Sequence, residues 1–204
     1  QLDTKLSLEE NFDTFPQYAD EETLLLSLEK NIKVNVGPAS KTKGFFKYDL
    51  ESDTLEQVIP LDLNAPIRSA VPFGDAVLYV DYAEKDESLE WTVVHFENGV
   101  KQDLRSGTCA GYEDLPELSV LEGSPVILWK DSKKETFGLE IFDGADLSEI
   151  ELPKDQNLVS TDSACNTKEI CFLTKNDAGD ARFLIVGKNG EIGSVTLDGR
   201  ITSF

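Results

Sequence analysis

Short stretches of β-branched, aliphatic and aromatic residues alternate with polar turns along most of the chain. Four of these apolar runs are Phe45–Leu50, Trp91–Phe96, Phe137–Phe142 and Arg182–Gly187, and the turn pairs that follow them are Ser52-Asp53, Asn98-Gly99, Asp143-Gly144 and Asn189-Gly190. Asn-Gly and Asp-Gly favour tight hairpins, because both central residues accept a positive φ. The runs end 46, 46 and 45 positions apart, so the pattern predicts a repeated hairpin.

Other apolar runs recur with a similar period. A second set precedes the first and comprises Ile32–Val36, Val77–Asp81, Val126–Lys130 and Ile170–Thr174. Two further sets predict strands near Leu24–Leu28, Ser69–Phe73, Leu118–Leu121 and Leu158–Ser163, and near Leu55–Ile59, Val100–Leu104, Leu147–Leu152 and Ile192–Leu197. Each set is rich in the residue types that strands favour. The repeating unit is therefore four antiparallel strands, present four times.

Four-stranded units that repeat every 40–50 residues are typical of β-propeller blades. One twisted sheet cannot bury both of its faces, whereas neighbouring sheets around an axis cover each other. One aligned position holds only apolar residues, namely Val34, Tyr79, Leu128 and Phe172, and we expect these four to face the same way. The sequence thus predicts an all-β, propeller-like array of four four-stranded antiparallel blades, with a pair of packed β-sandwiches as the alternative.

The repeats also divide the chain. Residues 1–20 are predicted to be an acidic N-terminal arm or a ring-closing strand, and residues 21–204 a propeller-like domain. The predicted repeats are about 24–64, 65–112, 113–155 and 156–204. The array is either a four-bladed ring or half of a larger ring, completed by a second copy or by sequence outside this chain. Residues 200–204 have the composition of a further strand, which indicates either that the ring closes there or that the chain is truncated.

The charge balance narrows the partners. The 204 residues include 39 Asp and Glu against 19 Lys and Arg, for a net charge of −20. Nucleic acids and anionic membranes need clustered cations, so neither is expected as a partner. No apolar run reaches the ~18 residues of a membrane span, so no membrane insertion is expected. A protein or a glycan, favoured if cationic, is the predicted partner, and self-association into a homo-oligomer is a further prediction.

The first residue and the lack of methionine bear on localisation. The chain begins at Gln1 and contains no Met. This is expected of a mature secreted protein after signal removal, or of a fragment of a longer chain. We therefore predict a secreted or cell-surface location.

The layout of the last two repeats carries a family resemblance. Residues 118–152 and 164–190 each present a strand, a turn, a second strand, a loop, a third strand and an Asp-Gly or Asn-Gly turn. This order is similar to that of secreted fungal propeller lectins of the fucose-binding type. In that family an Arg on the second strand, a Glu and aromatic residues clasp the sugar. The second strands here carry no Arg, so the resemblance implies the propeller fold and not the fucose site.

Aromatic and polar side chains near the predicted loops are the candidate ligand-binding residues. They are Tyr82, Trp91, Tyr112, Trp129, Asp131 and Arg68. Large aromatic rings stack on sugars or anchor peptides, and the predicted loops after the second strands are 37–44, 81–90, 131–136 and 175–180. For Trp129 the alternative is packing between blades, because its aligned positions include Val80 and Leu173.

Catalytic chemistry finds little support in the sequence. His95 is the single histidine, and the Gly-x-Ser-x-Gly, P-loop and Rossmann patterns are absent. A propeller glycosidase-like enzyme would gather carboxylates at the axis. The innermost strands offer Glu117 and Asp162, with Ser27 and Arg68 from the other two. We therefore predict a non-catalytic interaction module that needs no cofactor, with the glycosidase-like enzyme as the alternative.

Two local features complete the candidate chemistry. Asn176, Asp177 and Asp180 supply hard oxygen atoms on one loop, the ligands that Ca²⁺ prefers, although a solvated acidic loop has the same composition. Cys165 and Cys171 bracket a turn, so a disulfide across the hairpin is predicted if the compartment is oxidising. The alternative is two reduced thiols, with Cys109 as the third cysteine.

Overall fold

The computed structural model describes residues 13–19, 23–34, 37–59, 67–166 and 168–197. Sheet 1 contains β1 (Asp13–Ala19), β2 (Thr23–Val34), β3 (Gly37–Asp49) and β4 (Thr54–Ile59), and sheet 2 contains β5 (Ile67–Phe73), β6 (Ala76–Lys85), β7 (Ser88–Glu97) and β8 (Val100–Cys109). Sheet 3 contains β9 (Glu117–Leu121), β10 (Ser124–Asp131), β11 (Thr136–Phe142) and β12 (Leu147–Ile150), and sheet 4 contains β13 (Gln156–Cys165), β14 (Ile170–Asn176), β15 (Ala181–Gly187) and β16 (Gly190–Thr196).

These four sheets confirm the predicted fold class. Every sheet has four antiparallel strands that pair in chain order, and the arrangement is propeller-like. The predicted hairpin turn between β7 and β8 has positive φ at Asn98 (50°) and Gly99 (79°), which is the geometry that Asn-Gly favours. Within the described ranges the only helical element is the 3-10 helix Tyr112–Asp114. No helix in the described ranges is long and apolar enough to span a membrane.

The sheets pack in the order 1, 2, 3, 4. Three clusters of buried apolar side chains join them, one at each successive interface. Leu25 and Tyr79 lie between sheets 1 and 2, Trp91 and Ile127 between sheets 2 and 3, and Leu139 and Phe172 between sheets 3 and 4. The first strands of successive sheets, β1, β5, β9 and β13, are neighbours of one another. The first strand of each sheet is therefore innermost, as in a propeller.

One detail of the predicted alignment is wrong. Tyr79 packs toward sheet 1 and Phe172 toward sheet 3, so each faces the preceding sheet, whereas Leu128 packs toward sheet 4, which follows it. A shift of one residue reverses the face of every side chain in a strand. Both faces of β10 are apolar, since Ile127 and Leu128 are both fully buried. The composition of β10 therefore does not show which of these two residues aligns with Tyr79, and the predicted alignment is wrong by one residue.

The beginning of the chain also differs from the prediction. The predicted strand Leu24–Leu28 and the predicted strand Ile32–Val36, as far as Val34, lie in one continuous strand, β2, which pairs with β3 over its whole length; residues 35 and 36 lie outside the described residues. The predicted loop 37–44 is therefore part of β3. Part of the segment 1–20 forms β1, which pairs with β2 and so belongs to sheet 1. Residues 200–204 lie outside the described residues, and the other predicted boundaries remain predictions.

Candidate functional site

Three innermost strands bring charged side chains together. Arg68 on β5, Glu117 on β9 and Asp162 on β13 come from three successive sheets. The Arg68 Nη2 atom lies 3.6 Å from Glu117 Oε2 and 3.4 Å from Asp162 Oδ1. Ser27, the fourth residue expected there, lies on the second strand of sheet 1. The structure therefore pairs both predicted axial carboxylates with the one axial arginine.

An aromatic ring completes this group. The guanidinium carbon of Arg68 lies 4.7 Å from the centroid of the Tyr112 ring, within the range of a cation–π contact. Tyr112 in turn meets the ring of Tyr82 edge to face, with centroids 5.8 Å apart. We call Arg68, Glu117, Asp162 and Tyr112 the axial cluster.

Bonds between neighbouring sheets hold the axial cluster in place. The buried hydroxyl of Ser69, next to Arg68, accepts a hydrogen bond from the backbone nitrogen of Leu118, at 3.2 Å. The buried hydroxyl of Thr161, next to Asp162, donates to the carbonyl of Leu115 at 2.6 Å. The first bond joins sheets 2 and 3, and the second joins β13 to the segment just before β9. Because each bond lies beside a cluster residue, the scaffold as well as the charges holds the three charged groups near one another.

The electrostatics of the cluster are uneven. Burial raises the pKa of Glu117 above its ordinary value; Arg68 opposes this shift and Asp162 adds to it. The side chain of Glu117 is 28% exposed and that of Asp162 is 69% exposed. Arg68 Nε is buried and has no hydrogen-bond partner within the described part of the chain. The cluster is thus open to solvent at Asp162, whereas the Arg68 Nε donor is buried on the other side.

The other predicted binding residues are mostly buried. Trp91 (1% exposed) and Trp129 (8%) pack between sheets 2 and 3, with their ring centroids 6.5 Å apart. Tyr82, expected in a loop, lies in β6 and is buried, because the predicted loop 81–90 is mostly strand with a two-residue turn. The burial of Trp129 agrees with the alternative given in the sequence analysis, in which this ring packs between blades. A role of these three in stacking on a surface ligand has no support in their positions.

Asp131 has a local structural contact for each carboxylate oxygen. Its Oδ1 atom accepts hydrogen bonds from the Thr108 hydroxyl and from the backbone nitrogens of Lys133 and Lys134. Its Oδ2 atom lies 3.2 Å from Lys134 Nζ. Asp131 is 4% exposed and so organises the β10–β11 turn and ties it to sheet 2. Of the six predicted residues, Arg68 and Tyr112 are the two that the structure places in the axial cluster.

The candidate calcium loop forms a turn held by its own side chains. Asn176 Oδ1 accepts from the backbone nitrogen of Asp180, and Asn176 Nδ2 donates to Asp180 Oδ2. Asp177 Oδ1 accepts from Asn157 Nδ2 at 3.2 Å. Over the described residues, no group of three His, Cys, Asp or Glu has the geometry to hold a metal ion. Calcium binding by this loop stays a prediction.

The predicted disulfide conflicts with the strand register. Cys165 lies opposite Ile170, and Cys171 lies opposite Ala164, so the two cysteines point to opposite faces of sheet 4. Cys165 Sγ donates to the carbonyl of Val120 in sheet 3, which confirms its direction. All three cysteines are free. The two cysteines are close in sequence, but they are offset by one residue in the strand pairing. Their side chains therefore lie on opposite faces of the sheet, which keeps the two sulfur atoms apart.

Thiol titration of the native protein is expected to detect two of the three cysteines. Cys109 is 1% exposed, and burial, with the nearby Asp114 and Glu113, raises its pKa to about 12, so it has almost no reactive thiolate at neutral pH. Cys165 is exposed and Cys171 half-buried. The third thiol should react only after unfolding, and Cys109→Ser should give two thiols in both states. No reactive thiol in the native protein and a single one after unfolding, or a mass change on reduction, would support the disulfide instead.

The sequence did not reveal one partly buried ion pair between sheets 2 and 3. Arg105 on β8 lies 2.6 Å from Glu140 on β11 (Nη1 to Oε1), and its guanidinium carbon lies 3.6 Å from the Trp129 ring centroid. These residues are far apart in the chain, and nothing in the repeat pattern links them.

A glycine in the sequence is linked to the burial of Trp129. Trp129 pairs with Gly138 across the strands, where a Cβ would come within 2.8 Å of the indole.

Comparison with known proteins gives no functional assignment. No protein-family model matches the chain, and no curated protein matches its sequence. Accordingly, no match supports the resemblance to fucose-type lectins. A structure of an oligogalacturonate lyase in complex with manganese is 7% identical, covers 90% of this chain and 72% of its own, and has a TM-score of 0.47. An uncharacterized protein (lmo1340) from Listeria monocytogenes EGD-e is 9% identical, covers 93% and 67%, and has a TM-score of 0.39.

Proposed function

We propose that the protein is a non-catalytic interaction module that binds a glycan at the axial cluster. The observation that carries this proposal is the convergence of Arg68, Glu117 and Asp162 from three innermost strands, in a cluster that is open to solvent at Asp162. Glu117 and Asp162 remain partly exposed. Ligand hydroxyls that arrive from solvent can therefore donate hydrogen bonds to their carboxylate oxygens.

The chemistry of the cluster suits a polyhydroxylated ligand. A guanidinium donates several hydrogen bonds in a fixed plane, and a carboxylate accepts them, so adjacent sugar hydroxyls can bond to both at once. The Tyr112 ring beside Arg68 adds an apolar surface for the carbon face of a sugar. The scaffold places these groups before any ligand arrives, which lowers the entropic cost of binding.

The charge of the protein selects among glycans. With a net charge of −20, long-range repulsion disfavours anionic glycans, and the effect weakens as salt is added. Neutral or cationic glycans, such as those with free amino groups, are therefore the preferred class. Asp162, the most exposed acid of the cluster at 69%, is suited to contact an amino group.

A glycan array with a matched pair of variants tests the proposal. We expect the wild type to bind neutral or amino-bearing glycans, and Arg68→Met to lose at least tenfold in affinity because it removes the central donor. The control is Lys85→Met, which removes an exposed lysine of the surface pair Lys85–Glu90 and should bind like the wild type. No binding across the array, or equal binding by Arg68→Met, would refute a glycan site here; binding of a protein partner that Arg68→Met abolishes would favour the protein ligand.

A second candidate function is glycoside hydrolysis, favoured by one specific observation. Glu117 has a raised pKa, and the more exposed Asp162 lies beside the same arginine nitrogen. Glycosidases use one protonated and one ionised carboxyl group ~5–10 Å apart. Turnover of a panel of aryl glycosides that disappears in Glu117→Gln would establish this function. Binding without turnover agrees with the non-catalytic module that we propose.

A further inference from the structure

The outer edge of β11 is paired over only part of its length. The outermost strand of sheet 3, β12, lies opposite residues 139–142, whereas β11 begins at Thr136. If this pairing continued past Ile150, the next two residues of the chain would lie opposite Gly138 and Phe137. The chain leaves the sheet instead, and in the described part of the chain no backbone hydrogen bond joins residues 151–153 to β11.

A cavity of about 470 Å³ lies where this pairing stops. Its lining includes Phe137 and Gly138 of β11 and residues 151–154 of the departing chain, which are the residues that continued pairing would have brought together. Glu149 and Lys154 also line the cavity and are exposed, so the cavity opens to solvent. Its volume falls within the range of ~300–1,000 Å³ that is usual for ligand-binding pockets.

Contacts with sheet 4 hold the departing chain in place. The buried side chain of Gln156 accepts a hydrogen bond from the Thr174 hydroxyl through its Oε1 atom, at 3.0 Å. Asp155 Oδ1 lies 3.7 Å from Arg182 Nη2, and Leu152 packs against the apolar cluster between sheets 3 and 4. The gap beside β11 is therefore present before any ligand arrives, which lowers the entropic cost of filling it.

The free part of the β11 edge offers backbone hydrogen bonds. In an antiparallel sheet, successive residues direct their N–H and C=O groups to alternate edges. At least one of residues 136–138 therefore directs both groups to the edge that β12 leaves free. An extended peptide can pair with such an edge and add a strand to the sheet. The adjoining part of the same edge already accepts an antiparallel strand, since it pairs with β12.

The two faces of the sheet select different side chains for such a peptide. Phe137 is half-buried and packs against the apolar cluster between sheets 3 and 4, so a peptide residue opposite it meets an apolar surface. Gly138 lies two residues from Glu140, and Glu149 pairs with Glu140, so Gly138 and Glu149 share the other face. The peptide residue opposite Gly138 therefore meets an exposed carboxylate.

We propose that this cavity binds an extended peptide of a partner protein as an additional strand on β11, with an apolar residue of the peptide next to a lysine or arginine. Two glutamates and one lysine line the cavity among the described residues, and the net charge of the chain is −20. Both favour a cationic segment. This site goes beyond glycan binding and lies away from the innermost strands that form the axial cluster. Arg68→Met should leave peptide binding unchanged, so the two proposals can fail separately.

Isothermal titration calorimetry of the full chain tests the proposal. The probe is the acetylated and amidated peptide Ser-Lys-Leu-Lys-Ser. One control peptide has Glu in place of both Lys, and the other has the first sequence with its three central backbone nitrogens methylated. We expect only the probe to bind, because the acidic peptide is repelled and the methylated peptide cannot donate to β11. No saturable binding of the probe below about 1 mM, or equal binding of the methylated peptide, overturns the proposal.

Hydrogen exchange measured by NMR locates the bound peptide. The probe should slow the exchange of at least one backbone amide in residues 136–138 and leave β8 unchanged. Glu149→Gln should lower the affinity about two- to fivefold, as expected for an exposed ion pair. The matched control is Glu97→Gln, which removes an exposed acid at the end of β7 and should have a smaller effect. Binding without slowed exchange in residues 136–138, or equal losses in the two variants, would show that the peptide does not pair with β11 beside Glu149.

Discussion

Replacing Trp91 by alanine is expected to lower the free energy of unfolding by about 3–5 kcal/mol. Trp91 is 1% exposed at the centre of the cluster between sheets 2 and 3, so its removal leaves a cavity that the two flanking sheets can only partly close. Urea unfolding monitored by circular dichroism measures the change. Val100→Ala, at a position that is 67% exposed, should change stability by less than about 0.5 kcal/mol.

A double-mutant cycle connects that loss to one contact. Gly107 lies directly opposite Trp91 in the paired strands, and a Cβ there would come within 2.4 Å of the indole ring. Gly107→Ala should therefore cost about 1–3 kcal/mol by overpacking, and this cost should vanish when Trp91 is already alanine. Gly193→Ala, where nothing lies within 4 Å of a new Cβ, serves as the control. Additive losses would show that Trp91 is not packed on Gly107.

Replacing Arg105 by methionine is expected to cost about 2–3 kcal/mol at neutral pH. The change leaves Glu140, which is 8% exposed, as a buried charge without its partner, and it removes the guanidinium from the Trp129 ring. Full burial of the pair would place the loss at about 3–5 kcal/mol, but the Arg105 side chain is 32% exposed, which reduces it. Urea unfolding against the wild type gives the difference.

The loss in Arg105→Met should shrink as the pH falls. Burial already raises the pKa of Glu140 above its ordinary value, with Arg105 opposing the shift and Glu149 adding to it. Without Arg105 the pKa of Glu140 in the folded state rises further above its pKa in the unfolded state. The folded state then binds the proton more readily, so the variant gains stability as the pH falls through the folded-state pKa toward the unfolded-state pKa. Lys85→Met removes an exposed pair and should show little loss at any pH. An equal loss for Arg105→Met at pH 7.5 and pH 5 would contradict this account.

Much of the fold could be predicted because its signals are local. Hairpin turns such as Asn98-Gly99 and apolar runs such as Val77–Asp81 depend on neighbouring residues, and they located the strands of sheets 2, 3 and 4. The beginning of the chain was less predictable. Leu24 to Val34 contains a polar stretch, Glu29 to Asn31, which reads as a turn, yet this stretch lies inside β2, because its pairing with β3 continues through it.

The candidate site was predictable in its residue types and not in its exposure. Glu117, Asp162 and Arg68 were named from the innermost strands, but only the packing of β5, β9 and β13 shows that they meet. Trp91 was expected to be available to a ligand and is buried instead, whereas the burial of Trp129 agrees with the alternative of packing between blades. Which sheet covers a side chain depends on a one-residue register, and in strands that are apolar on both faces the composition does not reveal that register.

The sequence by itself determined the net negative charge, and it determined the repeating four-stranded unit and its hairpin turns because these depend on residues close in the chain. The tertiary structure alone decided which faces pack together, which aromatic rings are buried, that Cys165 and Cys171 point apart, and that Arg68 joins two carboxylates. These outcomes depend on strand register and on contacts between residues about 50 to 100 positions apart. A difference of one residue in register reverses a face while leaving the local pattern of apolar and polar residues unchanged.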